Sequence, residues 1–160
     1  MLLTNKINFM KEFSNVDDIL EFAIGEEQKA IDFYSELAKN AHSDEMKQVF
    51  TEFAQEEMKH KLRLTKIREE GIFTMPKEMV ADLKIADYVF TVKPTPAMTY
   101  EEALIVAMNK EKAAFRLYSN LSAKAPTQEL KDVFLSLAME ESKHKLRFEV
   151  EYDDFVLREN

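Results

Sequence analysis

The segment EEMKHKLRL, running from Glu56 to Leu64, returns as EESKHKLRF from Glu140 to Phe148, and the register that lays Glu56 on Glu140 keeps matching residues upstream without a gap. Leu20, Ala23, Glu27, Ala30, Tyr34, Ser35, Leu37 and Ala41 fall on Leu104, Ala107, Glu111, Ala114, Tyr118, Ser119, Leu121 and Ala125. Glu45, Lys47, Val49, Phe50 and Ala54 fall on Glu129, Lys131, Val133, Phe134 and Ala138. A repeat of this length constrains the fold more tightly than any single pattern. It reads as two copies of one helical hairpin.

Composition agrees that the elements are helices. In 160 residues there are only 2 Gly and 4 Pro, too few for the many tight turns of a sandwich or barrel, while Glu, Lys, Ala, Leu and Met abound. The length suits one domain, here expected over 1–160, with hairpins at about 15–70 and 99–153 and a crossover at about 71–98. The chain contains no Cys, which excludes disulfides, zinc-thiolate sites, iron-sulfur clusters and thiol catalysis, so any metal must be held by nitrogen and oxygen. A net charge of -8 repels nucleic-acid phosphates and anionic membranes, and neither is expected as a partner. The opening MLLTNKINFMKEF has no signal-peptide pattern and no later stretch approaches a membrane span, so a cytoplasmic protein is expected.

Four helices are predicted: Asn15 to Asn40, Ser43 to Glu70, Thr99 to Lys124, and Thr127 to about Asp153. Asn15 with Asp18, and Thr99 with Glu102, have the capping-box spacing, and Ser43 and Thr127 cap the second helix of each hairpin. Gly71 supplies a stop. Between Gly71 and Met98 lies a connector holding Pro76, Pro94 and Pro96, too long for a hairpin turn, which must run the length of the bundle. Its apolar residues, Met79, Val80, Leu83, Ile85, Tyr88, Val89 and Phe90, suggest packing on the bundle, with a short helix around Lys84 to Tyr88. The expected architecture is all-α, a four-helix bundle of two antiparallel hairpins joined by one long crossover.

The stripes that should face the core carry charge. The first helix reads Leu20, Ala23, Glu27, Ala30, Tyr34, Leu37, Ala41, and the third Leu104, Ala107, Glu111, Ala114, Tyr118, Leu121, Ala125. The second reads Met46, Phe50, Phe53, Glu57, His60, Leu64, Ile67, and the fourth Leu130, Phe134, Leu137, Glu141, His144, Phe148. Four carboxylates and two imidazoles thus meet at one level of the core. Bare ionised carboxylates there would cost several kcal/mol each, and their mutual repulsion would add to it. Two divalent cations cancel the four negative charges, and neutral imidazoles add donors without charge. One Glu from each of two helices plus Glu-x-x-His from each of the others is the ligand set of dinuclear carboxylate bundles.

A lone Glu-x-x-His on an acidic helix is weak, because such spacings arise by accident on solvated faces; the doubling at core positions is what carries the reading. His42, in a loop and without a repeat partner, reads as a surface residue. Glu26, Glu56 and Glu140 fall off the stripes and read as rim charges, with Lys59 or Lys143 as partners. Tyr34 and Tyr118 lie two turns beyond Glu27 and Glu111 on the same faces. They read equally well as core aromatics and as donors that orient a carboxylate, or trap a radical, near the metals.

With these residues in view, the sequence resembles the di-iron domain of the rubrerythrin family, in the ferritin-like superfamily. The resemblance lies in Glu27-Gln-Lys-Ala30-Ile-Asp-Phe-Tyr34, its mate Glu111-Lys-Ala-Ala114-Phe-Arg-Leu-Tyr118, the pairs Glu57-x-x-His60 and Glu141-x-x-His144, and the connector's LKIADY. It covers both hairpins. It implies a ferritin-like bundle with two iron ions bridged by Glu57 and Glu141, with Glu27 and Glu111 as terminal ligands and His60 and His144 completing each iron. It also implies reaction with peroxide or dioxygen in defence against oxidants. Two departures stand out: the rubredoxin-like domain with its four Cys is missing, so electrons must come from an external donor such as a rubredoxin-like protein, and Ala114 stands where that family has a further Glu.

The expected function is therefore a di-iron oxidoreductase that reduces hydrogen peroxide, with manganese or zinc as substitute metals, and a homodimer is expected. The rival from another class is ferroxidase or iron storage, which needs a cage, although only EYDDFVLREN follows the last site. A third reading is a metal-free helical interaction module whose polar stripe sets pairing specificity.

Overall fold

The computed structural model describes residues 16–71, 93–125 and 127–159. Four helices account for nearly all of them: α1 (Val16–Lys39), α2 (Asp44–Glu70), α3 (Tyr100–Lys124) and α4 (Gln128–Glu159). Their starts follow from the capping chemistry. Ser43 accepts a hydrogen bond from the Met46 amide at 3.1 Å, and Thr127 accepts one from Leu130 at 3.2 Å. Thr99 and Glu102 close a reciprocal capping box at 3.1 Å in both directions. At the other ends, Gly71 terminates α2 at φ 62°, a left-handed conformation that an L side chain resists. Ala125, which precedes Pro126, turns extended at ψ 137° and stops α3. The Asn15 cap and the packed connector with its short helix lie outside the described residues.

The boundary that differs from expectation is the end of α4, which runs to Glu159 instead of stopping near Asp153. No Gly or Pro interrupts this stretch, and the extra turns are held from the side. Tyr100 packs edge-on against Phe155 at 5.2 Å between ring centres, and its hydroxyl donates to Glu151 at 3.2 Å. Tyr152 donates to Glu101 at 3.1 Å, and Arg158 reaches Glu45 on α2 at 3.3 Å with both terminal nitrogens.

Two apolar clusters fill the bundle. One joins Ile19, Leu20 and Ala23 of α1 to Leu64 and Ile67 of α2, Leu117, Tyr118 and Leu121 of α3, and Leu130, Phe134 and Leu137 of α4. The other joins Phe33, Tyr34 and Leu37 of α1 to Met46, Phe50 and Phe53 of α2, Leu104 and Ala107 of α3, and Phe148 of α4. The start of α1 therefore shares one end of the bundle with the close of α2, the close of α3 and the start of α4. It follows that α2 and α3 run parallel, which a long crossover permits and a hairpin turn does not. Every stripe position is buried except Ala41, Ala114 and His144, which are half-buried. The level between the two clusters is where α1 to α4 bring their charged stripe residues.

Candidate metal centre

Glu27 on α1, Glu57 and His60 on α2, and Glu111 and Glu141 on α3 and α4 are all buried to 3% exposure or less, and His144 on α4 is half-buried. Their donor atoms form two groups, each with all atoms within 4.8 Å of one another: Glu27, Glu57, His60 and Glu141, and Glu57, Glu111, Glu141 and His144. Glu57 and Glu141 belong to both. The imidazoles stack with centres 5.6 Å apart and planes at 12°, and Phe53 meets His144 edge-on at 5.0 Å.

The distances inside the cluster are short, but direction is missing from several of them. His60 Nδ1 lies 2.6 Å from Glu141 Oε1 and 3.4 Å from Glu57 Oε2. Even so, neither ring nitrogen of His60 has a properly directed hydrogen bond, and neither do Glu111 Oε2 and Glu141 Oε1. Buried polar atoms without partners are rare because each costs about 1–3 kcal/mol. Lone pairs that converge without hydrogens between them suit a cation, and carboxylate oxygen with imidazole nitrogen suits iron or manganese. The residues present fit such ions.

Titration behaviour points the same way. Burial and the charge of Glu57 push the Glu27 carboxyl well above its ordinary range, with a proton shared between the two. Burial and the charges of Glu111 and Glu57 push Glu141 up likewise. Burial alone would raise Glu57 too, but the proton of Glu27 and the His144 and His60 imidazoles beside it outweigh burial and hold Glu57 well below the usual range. His144 is favoured as a cation, raised to about 10 because the Glu111 and Glu57 carboxylates beside it overcome its burial. Without metal, protons do the neutralising that cations would otherwise do.

The tyrosines pair crosswise. Tyr34 on α1 donates to Glu111 Oε1 on α3 at 2.5 Å, and Tyr118 on α3 donates to Glu27 Oε1 on α1. Each thus serves the opposite hairpin instead of the Glu on its own helix. The rings sit in the two apolar clusters and each hydroxyl donates to one carboxylate oxygen of the cluster.

Two residues depart from the reading of the sequence. Glu140 is a rim charge as expected, its side chain 42% exposed, but its partner is His60, whose Nε2 lies 2.6 Å from Oε2, and not Lys143. One turn of a helix pointing past its stripe lets a long side chain reach the outer edge of a buried ring, which spacing alone does not reveal. Its counterpart Glu56 does pair with Lys59, at 3.0 Å, so the two halves are unlike here. Lys110 was not singled out at all, yet it is only 7% exposed. The one available signal was that the repeat register places a Lys there against Glu26. His42 is exposed, as its loop position implied.

The fold and this cluster define a four-helix bundle with a buried carboxylate–imidazole group able to hold metal. A family model described as Rubrerythrin matches residues 18–100 and 102–160, and the chain belongs to that family. Its fold is similar to that of a Thermotoga maritima protein described as a ferritin-like diiron-carboxylate protein, with TM-score 0.68, 23% identity, and coverage of 87% of this chain and 95% of that one. It is equally similar to a hypothetical protein of Pyrococcus furiosus, with TM-score 0.68, 24% identity, and coverage of 92% and 93%. No curated protein matches the chain. Among the described residues, no helix is long and apolar enough to cross a membrane.

Proposed function

We infer that the protein is a di-iron peroxide reductase served by an external electron donor. The observation that carries this reading is the pair of four-residue donor groups sharing Glu57 and Glu141 in a core that is otherwise apolar. Membership of the Rubrerythrin family supports it. Glu57 and Glu141 would bridge two iron ions, with Glu27 and His60 on one and Glu111 and His144 on the other. Bound ferrous iron would supply the reducing electrons there, peroxide with two protons and two electrons giving two waters. The chain's own contribution is positional. Tyr34 and Tyr118 each hold one oxygen of Glu111 and Glu27 and so limit how those carboxylates can turn. The stacked imidazoles and the edge-on Phe53 ring fix the orientation of the two histidines. These 160 residues hold no Cys, so we place the electron donor outside them.

Anaerobic reconstitution with ferrous iron, followed by stopped-flow mixing with peroxide and separately with dioxygen, tests this. Rapid oxidation by peroxide with slow reaction with dioxygen is expected. Comparable rates with both, accompanied by a large multi-subunit shell in solution, would transfer the assignment to ferroxidase and storage. Failure to bind metal at all would leave a helical interaction module.

A further inference from the structure

Nine large apolar side chains are exposed among the described residues, and five of them lie on α4: Leu135, Met139, Leu146, Val150 and Leu157, each half exposed or more. At 3.6 residues per turn the five fall within about 60° of one another around the helix axis, on the side turned away from Phe134, Leu137, Glu141 and Phe148. They make one stripe about 33 Å long. Packing of the hairpins does not require it. The positions equivalent to its first four residues are Thr51, Gln55, Leu62 and Lys66 on α2, and none of the nine exposed side chains is on α1. Here the repeat departs from itself, and α4 carries an apolar face that its own bundle leaves bare.

We propose that this face is a dimerisation surface, on which two copies of the chain pair their α4 helices antiparallel about a two-fold axis through Leu146. What selects a second copy is the symmetry of the stripe. Leu135 and Leu157 lie eleven residues to either side of Leu146, and Lys143 and Glu149 three residues to either side. A two-fold contact sets each position against its mirror, so it needs a pattern that is complementary to its own reverse. In that register Leu135 meets Leu157 of the second copy, Leu146 meets Leu146, Val150 covers the small Ser142, and Lys143 meets Glu149. Glu149 already holds Lys145 of its own helix at 2.6 Å, and the second copy's Lys143 adds to that pair. Asp153, the charged residue within the stripe, lies one turn beyond Glu149 and within reach of the same lysine. A strip about 33 Å long and 10–12 Å wide offers roughly 350 Å². Phe115 on α3, 40% exposed at the axial level of Leu135 and Met139, adds to it. The total stays below the roughly 800 Å² per partner of a standard interface, which fits a reversible dimer with a dissociation constant in the micromolar range. None of this depends on the chemistry of the metal centre.

Sedimentation velocity over a concentration series reaching about 200 µM, with thermal melting alongside, tests the proposal on the full chain and its variants. The wild type should pass from monomer to dimer across the series. Leu146→Glu sets two carboxylates face to face on the axis and should raise the dissociation constant more than about 100-fold, with the melting of the monomer unchanged. Lys143→Glu and Glu149→Lys should each raise it about five-fold, and the two together should return to within about two-fold of wild type. A wild type that stays monomeric at the top of the series overturns the proposal. So does a dimer indifferent to Leu146→Glu, or a double charge reversal no tighter than either single one. A monomeric wild type whose melting falls in Leu146→Glu would show that residues 1–15 or 72–92 of the same chain cover the stripe, which also overturns it. If Leu146→Glu does not fold, Leu157→Ser, at a side chain 75% exposed, should weaken the dimer about ten-fold and decides with the charge reversals by the same criteria.

Discussion

Supplying a divalent metal to the metal-free protein should raise its melting temperature by about 10–20 °C near neutral pH, and the gap should widen as pH rises. On the proposed dinuclear reading, the two donor groups sharing Glu57 and Glu141 would give two binding events. Free metal at about one hundred times its dissociation constant adds about 2.7 kcal/mol per site, hence roughly 5 kcal/mol for both. A chain of this size shifts about 2–4 °C per kcal/mol. The pH dependence follows from the protons that the metals replace. Glu27 and Glu141 titrate above the ordinary 4.5 when folded, so the apo fold binds more protons than the unfolded chain, and stability present below that value is lost as pH rises. His60 and His144 act with the same sign above 6.5, up to about 10 for His144. Glu57 acts oppositely, contributing stability above 4.5 that is lost as pH falls below it. From mildly acid to alkaline conditions the apo protein should therefore weaken. The loaded protein, whose ligands must be deprotonated, should weaken toward acid instead. Calorimetric melting under anaerobic conditions, with chelator or with manganese, across a pH series gives both curves. Midpoints agreeing to within about 2 °C at neutral pH despite two bound ions, or a gap that closes toward alkaline pH, would refute the reasoning.

Three further outcomes follow from single contacts. Glu140→Gln should weaken the half of the centre containing His60 by about 10–100-fold, because a carboxylate beside the outer ring nitrogen orients a ligating imidazole; a metal titration that splits into two phases checks it, and an unchanged single phase counts against it. Tyr118→Phe leaves Glu27 Oε1 without its donor in a buried setting and should cost about 1–3 kcal/mol in urea unfolding of the apo protein. Thr99→Ala removes one side of the capping box that starts α3 and should cost about 1 kcal/mol by the same assay, with metal content unaltered.

How far the sequence could be read depended on the range of the physics involved. Helix starts at Ser43, Thr99 and Thr127 and the stop at Gly71 are local matters, decided by residues within one turn of each other, and were legible. The six-residue cluster was legible because a repeat on a helical stripe fixes four faces at one level. The end of α4 was not, since what prolongs it is Tyr100, Glu101 and Glu45 on other helices. The pairing of Tyr34 with Glu111 and of Tyr118 with Glu27 was also out of reach. On one helix, two turns separate each tyrosine from its own glutamate, whereas across antiparallel α1 and α3 the partner comes within hydrogen-bond distance.

The amino-acid order by itself determined that this chain makes two like hairpins and that charge must meet charge at their centre, because period and capping are properties of neighbouring residues. Only the tertiary structure decided that Glu140 reaches the outer edge of His60 while Glu56 turns to Lys59. The same holds for Lys110, which is buried while its counterpart Glu26 is half-buried. In both cases equivalent positions of the repeat meet different neighbours, and those neighbours are contributed by helices distant in sequence.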